Sequence, residues 1–338
     1  MDKLSAMERS TSIRLRHLVC CLLLILIALP ASSQERANVP PFAQKVYTGI
    51  YLMNIYDLNI NEFSFYADFY IWFRWKGNRD PMNIEFVNAI EKWGFTVENF
   101  HDTTQVLRDG WNYNGMRVEG RFYHSFLLDR FPLDRHPLDI RIENITFPKD
   151  SLIYLPDTSK TLFRKEFIVP GWEIRKASIE SHTNFYNTNF GEPGRSGSTF
   201  SNFTFYLTIG RPFSYFTLKL MLPLLVVILA SLGSLLIHPS YMDARTSLPI
   251  GGLLSCVFLQ QSYSNALPDV GDMVLMDKIY LLSYILIAAI MLRIIIVGNV
   301  FAKGKSGNAD RLCKGDRRLS FWFLLSYLFG NLLLVLFA

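Results

Sequence analysis

The stretch from Asp243 to Leu267 limits this chain more than any other. It is long enough to cross a bilayer, which takes about 20 residues of helix, yet it is too polar to meet lipid on every side. Asp243, Ser247, Gly251, Leu254, Phe258, Gln261 and Asn265 follow one another in steps of three or four. On a helix that spacing puts them on one face. The face is acidic at one end, small in the middle, apolar above that and amide-rich at the far end. Polar groups unpaired in hydrocarbon are costly, so such a face turns toward water or protein. Two readings follow. The stripe lines a pore, or it packs inside a bundle with Ser and Gly allowing close approach.

The rest of the chain divides in two. It has 338 residues, half of them hydrophobic, and a net charge of +5. Residues 35–210 are mixed and rich in aromatics, whereas residues 211–338 are dominated by apolar runs. The basic residues sit beside those runs and form no patch interleaved with aromatics, which argues against nucleic acid. The cysteines are Cys20, Cys21, Cys256 and Cys313. None falls within 35–210, so that region has no disulfide of its own, and no pair has metal-ligand spacing. No nucleophile–base pair, paired carboxylates or metal cluster stands out. Neither an enzyme nor a cofactor or metal site is expected.

At the N-terminus Arg14, Arg16 and His17 precede the apolar run Leu18 to Leu29, and Ala31, Ser32 and Ser33 follow. This order reads as a secretory signal peptide over residues 1–33, cleaved near Ser33. Residues 34–211 are then exported. Within them short runs alternate with period two. Phe63, Phe65, Ala67, Phe69, Ile71, Phe73 and Trp75 point one way, and Leu138, Ile140 and Ile142, then Phe203, Phe205, Leu207 and Ile209, repeat the pattern. Turn signals separate the runs, among them Glu192-Pro-Gly194. Many short strands with such punctuation predict a β-sandwich. Inward-facing aromatics are core residues in that fold. The candidates for ligand contact are therefore those read as loop residues: Phe185, Tyr186 and Phe190, in a polar stretch Ser181 to Ser198 read as a long exposed hairpin, with Trp93, Phe147 and Tyr154 as further ones.

Residues 212–338 contain four expected spans, at about 213–237, 243–267, 274–300 and 319–337. Pro223 lies in the first. Pro249 in the second removes a backbone donor and crowds the carbonyl of Arg245, which predicts a kinked or loosened lower helix. The basic loop Phe301 to Arg318 belongs on the cytoplasmic side, and the acidic turn with Asp269 and Asp272 outside. With an exported first half, both termini lie on the periplasmic or extracellular side of the inner (plasma) membrane.

This order of parts resembles the pentameric ligand-gated ion channels, in particular their bacterial branch, over nearly all of the mature chain. Thr48-Gly-Ile-Tyr-Leu52 through Trp75-Lys76 is similar, without gaps, to the first two strands of a proton-gated cyanobacterial member. Phe131-Pro-Leu-Asp134-Arg-His136-Pro-Leu138 resembles the family's FPFDxQxC signature. Arg211-Pro212 resembles the arginine before the first helix, Pro223 the proline within it, Leu254 the mid-pore leucine, and Asn265-Ala-Leu-Pro268 the end of the pore helix. There are departures. His124 and Leu138 stand where animal members carry their disulfide, and His136 replaces the usual Gln. Asn59 and Ile60 stand near an acidic residue of the proton-gated member, so no identical salt-bridge network with Arg211 is implied. About 18 residues join the last two spans, so the large cytoplasmic domain of animal receptors is missing.

The resemblance implies a homopentamer around a central pore in the bilayer. Five copies of the stripe then form rings. An Asp243 ring at the cytoplasmic mouth favours monovalent cations. Against it, Ala244-Arg245 resembles anion-selective members, although those carry a proline where Asp243 stands, and Arg245 could also pair with Asp243 and neutralise it. Leu254 and Phe258 form apolar rings that gate by dewetting. Asp134, Arg211 and Pro268 couple the two halves. The agonist is a small molecule or protons, and the aromatic hairpin closes over its site. Three rival functions are weaker. A non-conducting receptor needs a single anchor, a transporter more spans and an internal repeat, and an enzyme the reactive groups that are missing here.

Overall fold

We analysed a computed structural model of the chain. It describes residues 42–157, 162–164, 166–188, 190–191, 197–268, 271–302 and 309–337. The segment expected to be a signal peptide, the turn Glu192–Gly194, Asp269 and residues 303–308 of the basic loop lie outside the described residues.

The alternating runs form strands, as period two requires when one face is buried. They are β1 (Gln44–Asn59), β2 (Ser64–Trp75), β3 (Ile84–Phe86), β4 (Ala89–Ile90), β5 (Thr96–Asn99), β6 (Gln105–Val106), β7 (Asn112–Tyr123), β8 (Arg135–Asn144), β9 (Leu152–Pro156), β10 (Glu173–Tyr186) and β11 (Ser198–Gly210). One sheet runs β4-β7-β2-β1-β9, with β5 and β6 also on β7, and the other runs β10-β11-β8-β3. The inner faces meet as in a sandwich. On β2, Phe65, Ala67, Phe69, Ile71, Phe73 and Trp75 are all buried, and the Phe69 ring meets Phe86 of the opposite sheet at 5.8 Å. The Tyr154 N–H donates across the sheets to Ser201 Oγ at 2.9 Å. Phe63 does not join this face. Its φ of 51° places it in the turn before β2. The polar stretch read as a long hairpin has regular strands for arms: β10 and β11 stay paired out to Tyr186 and Ser198.

Four helices follow: α1 (Tyr215–Leu236), α2 (Met242–Ser264), α3 (Leu275–Ala302) and α4 (Ala309–Phe337). Helices α1, α3 and α4 are long and apolar enough to cross a membrane, which makes this a membrane protein. Helix α2 falls short by composition because of its stripe. It packs between α1 and α3, and α4 packs on α3. The first turns of α1 are wound wide, and the Leu222 N–H reaches back to the Thr217 carbonyl. Pro223 comes next, has no N–H, and cannot bond the carbonyl four residues back. Helix α4 starts at Ala309, well before the expected Leu319. Arg, Lys and Leu are good helix formers, so Arg311, Lys314, Arg317 and Arg318 extend the helix instead of forming a loop.

Pro249 lies inside α2 without ending it. The helix is continuous from Met242 to Ser264. Pro249 is buried against its neighbours. On the same turns the hydroxyls of Thr246 and Ser247 bond back to carbonyls three or four residues earlier, which satisfies these polar groups within the helix. Gly252 sets the contact with α1: a Cβ there would stand 2.2 Å from Ser231 Oγ.

Candidate functional site

The polar face of α2 is the first candidate. Asp243, Ser247, Gly251, Leu254, Phe258, Gln261 and Asn265 are all exposed in the single chain. Arg245, Pro249, Gly252, Cys256 and Tyr263 form the buried face. Leu254 and Phe258 are 56% and 65% exposed although apolar. Helices α1 and α3 pack on the buried face and leave the stripe open. At its far end Gln261 Nε2 donates to Asn265 Oδ1 at 2.7 Å, so two amides act as one hydrophilic step.

At the other end the acidic residue stands alone. Among the described residues Asp243 has no ion pair. Arg245 is two positions on, about 200° around the helix, and it points the opposite way. Among the described residues the alternative reading, in which Arg245 pairs with Asp243 and neutralises it, is therefore not met. Arg245 Nη2 lies 2.6 Å from Asp316 Oδ2 of α4, with both side chains fully buried. Arg293 of α3 reaches the other oxygen, with Nε at 2.8 Å.

The second candidate lies where sheets and helices meet. Asp134, in the loop before β8, is buried and accepts from His136 Nε2 at 2.5 Å. Arg211, just after β11, stands with Nε 3.7 Å from Asp134 Oδ1. That is close enough for charge attraction but too long for a hydrogen bond, and Oδ1 has no hydrogen bond among the described residues. Arg211 lies over the rings of Trp172 at 4.4 Å, Phe131 at 4.9 Å and Tyr215 at 5.6 Å. Burial pulls its pKa down, while Asp134 opposes that shift. The Phe131 ring in turn stacks on Tyr263 of α2 at 6.0 Å. The Leu275 N–H, at the start of α3, donates to the Asp129 carbonyl at 2.9 Å. Asp134 and Arg211 are thus together, as expected. Pro268 is half-buried just past α2, and the links to the helices run through Phe131 and Asp129.

The third candidate is the β10–β11 hairpin. Tyr186, Phe190 and Phe200 form a triangle of rings with centroids 5.8, 5.9 and 6.5 Å apart. The Tyr186 hydroxyl donates to Glu143 Oε2 at 3.0 Å. Asn202 Nδ2 donates to Glu143 Oε1 at 2.9 Å, and Asn184 Nδ2 donates to the same oxygen. Glu143 is itself buried on β8. Burial raises the Tyr186 pKa, and the bond to Glu143 adds to the rise. The result is an aromatic corner over a carboxylate, the chemistry that suits an organic cation.

The other sequence candidates separate. Phe185 is next to Tyr186 on a strand and so faces the other side, where it lies against Gly197. Trp93 is 87% exposed on the short 3₁₀ turn Lys92–Gly94. Phe147 is half-buried against the core. Tyr154 is not a loop residue. It sits on β9, fully buried, with its hydroxyl donating to the Pro81 carbonyl at 2.8 Å, and burial raises its pKa. Its ring fills the core, so it is removed from the ligand candidates.

The chain matches no protein-family profile. It is, however, similar to known receptor subunits. Gamma-aminobutyric acid receptor subunit alpha-2 of Bos taurus is 23% identical over 293 residues, covering 77% of this chain and 60% of the relative. The Rattus norvegicus subunit of the same name is 23% identical over 291 residues with the same coverage. The chain thus spans about 60% of the length of the curated relatives it matches. Both are receptor subunits and not enzymes.

Several residues of these sites escaped the sequence reading. Glu143 and Phe200 looked like ordinary strand residues, because only strand pairing brings them beside Tyr186. Asp316 lies in a basic run far from α2 in sequence. Its one available signal was an acidic residue among Arg311, Lys314, Arg317 and Arg318. His136 was visible as a departure from the signature motif, and Tyr263 only as an off-stripe aromatic.

Proposed function

We propose that the chain is one subunit of a homopentameric, cation-selective, ligand-gated channel. The observation that carries this reading is the α2 stripe: seven residues, acidic to amide, left exposed on a helix whose other face is buried between α1 and α3. Such a face on a membrane helix needs water or copies of itself, and five copies around an axis supply both. The distant likeness to receptor subunits supports the general kind. In this reading residues 1–33 are a removed signal peptide, 34–211 an extracellular sandwich and 212–338 a four-span domain of the inner (plasma) membrane, with both termini outside. Asp243 sets the charge preference, Ser247, Gly251 and Gln261 line the water path, and Leu254 and Phe258 close it. Asp134 and Arg211 couple the halves, with Pro268 at the outer end of the path. The buried placement of Arg245 favours cations over anions, because it takes the competing positive charge off the stripe.

Purified protein in liposomes, recorded across a sodium chloride gradient, tests this. Current reversing near the sodium equilibrium potential is expected, and Asp243→Ala moves it toward zero. Reversal near the chloride potential overturns cation selectivity, and no current under any stimulus overturns the channel.

The ligand in this proposal is a small amine. Tyr186, Phe190 and Phe200 offer ring faces, and Glu143 supplies negative charge behind them. Each ring contributes ~0.5–2 kcal/mol to a bound cation. Phe185 and Trp93, both exposed, and half-buried Phe147 face other surfaces and are secondary. The relatives' names point to gamma-aminobutyric acid, whose ammonium end fits the same corner. Stimulation by a panel of primary amines and by acid steps separates amine from proton. Tyr186→Ala is expected to shift the amine dose response right by about 5–10-fold, the effect of losing one such ring, while sizing still shows a pentamer. An unchanged dose response, or loss of the pentamer, removes the hairpin from the binding site.

A further inference from the structure

Asp316 has two guanidiniums on one carboxylate at the buried inner ends of three helices. Arg245 of α2 and Arg293 of α3 both donate to it, at 2.6 and 2.8 Å. Asp316 and Arg245 are wholly buried, and Arg293 is 28% exposed. The cluster carries one positive charge in excess. Arg245 Nε and Nη1 have no hydrogen-bond partner among the described residues. Arg245 is therefore held by a single carboxylate, and a second cation sits on that carboxylate's other oxygen. An arginine cannot escape by losing its proton.

Asp243 stands two residues earlier on the same helix, exposed and, among the described residues, without an ion pair. The sequence places a carboxylate and a guanidinium at the same end of α2, and by itself it leaves their balance open. The tertiary contact decides it. While Asp316 holds Arg245 behind the helix, only the carboxylate faces the open side. Without Asp316, two like charges face each other with no anion between them. The long arginine stem then lets the charged head of Arg245 seek water, including the water on the open side of α2 where Asp243 stands.

We propose that Asp316 is the positioning residue that fixes the charge preference of the channel by keeping Arg245 off the water path. The inference rests on the reading of the α2 stripe as pore-lining. It assigns selectivity to a residue of α4 that touches no permeating ion.

The test uses full-length protein in liposomes and reads the sodium-to-chloride permeability ratio from reversal potentials. Asp316→Asn is expected to lower the ratio about tenfold, equivalent to about 1.4 kcal/mol. Arg245→Gln alone should leave the ratio within about twofold of the parent, because the cation it removes does not face the path. The double variant Asp316→Asn, Arg245→Gln should recover the parent ratio, which a merely structural loss would not do. If Asp316→Asn fails to assemble, Asp316→Asn with Arg293→Gln relieves the like-charge contact and should show the same loss of ratio. A parent ratio in whichever of these two variants assembles overturns the proposal, as does a failure of the Arg245→Gln addition to restore it. Asp243→Ala separates the two levels. If it too leaves the ratio unchanged, the pore reading itself has failed. If it lowers the ratio while Asp316→Asn does not, only the role of Asp316 has failed.

Discussion

Arg211→Gln is expected to abolish stimulus-evoked current in protein that still reaches the membrane. Asp134 is buried, and Arg211 is the cation that faces its unbonded oxygen at 3.7 Å. Removing one partner of a buried pair leaves an uncompensated charge, at a cost of roughly 3–5 kcal/mol. The same change takes the cation off three rings, Phe131, Trp172 and Tyr215. Phe131 is the ring that touches Tyr263 of α2, so the loss falls on the contact between sheet and helix. Arg211→Lys keeps the charge but loses the flat guanidinium that stacks on rings, and an intermediate loss is expected. Asp134→Asn should be similarly harmful, since it leaves a buried cation. The double variant Arg211→Gln, Asp134→Asn should be milder than the sum of the singles, the signature of directly coupled residues. Sizing in detergent and current per unit of surface protein make the measurement. A parent dose response in Arg211→Gln removes this junction from gating.

Leu254→Ser is expected to open the channel at lower stimulus. Leu254 and Phe258 are large apolar side chains exposed on an otherwise hydrophilic face. A narrow ring of such groups holds water out and so blocks ions. Withdrawing a leucine side chain from water is worth about 1.5–3 kcal/mol, and each subunit contributes one. Replacing the ring by hydroxyls removes that preference for the dry state. The half-maximal stimulus should fall by at least about tenfold, equivalent to about 1.4 kcal/mol, with resting leak current. Stability should change little, because more than half of the residue is exposed in the single chain. Voltage-clamp recording with surface labelling checks both points. A variant present at the surface that needs more stimulus than the parent moves the gate elsewhere, with Phe258 the next position to try.

Much of this architecture was legible along the chain. Period-two alternation named the inner face of β2 from Phe65 to Trp75, because a strand has only two faces and one must be dry. Spacing of three and four named the α2 stripe, because a helix repeats every 3.6 residues. Apolar runs named α1 and α3 close to their observed limits, whereas α4 begins about ten residues before its apolar run. These are properties of a residue and its near neighbours.

What the sequence did not decide depends on contacts between distant segments. Whether Asp243 is neutralised turned on Asp316, which is 73 positions away (316 − 243) and meets α2 only after four helices pack. Tyr154 reads as a loop aromatic until β9 pairs beside β1 and buries it. Tyr186 and Phe185 are neighbours in sequence, yet strand geometry sends them to opposite sides, and only Tyr186 finds Phe190, Phe200 and Glu143. Pro249 removes a backbone donor by its own chemistry, yet α2 runs unbroken from Met242 to Ser264 with Pro249 buried among its neighbours. Patterning fixes which face of an element is dry. Which charges meet, and which rings share a corner, is set by packing.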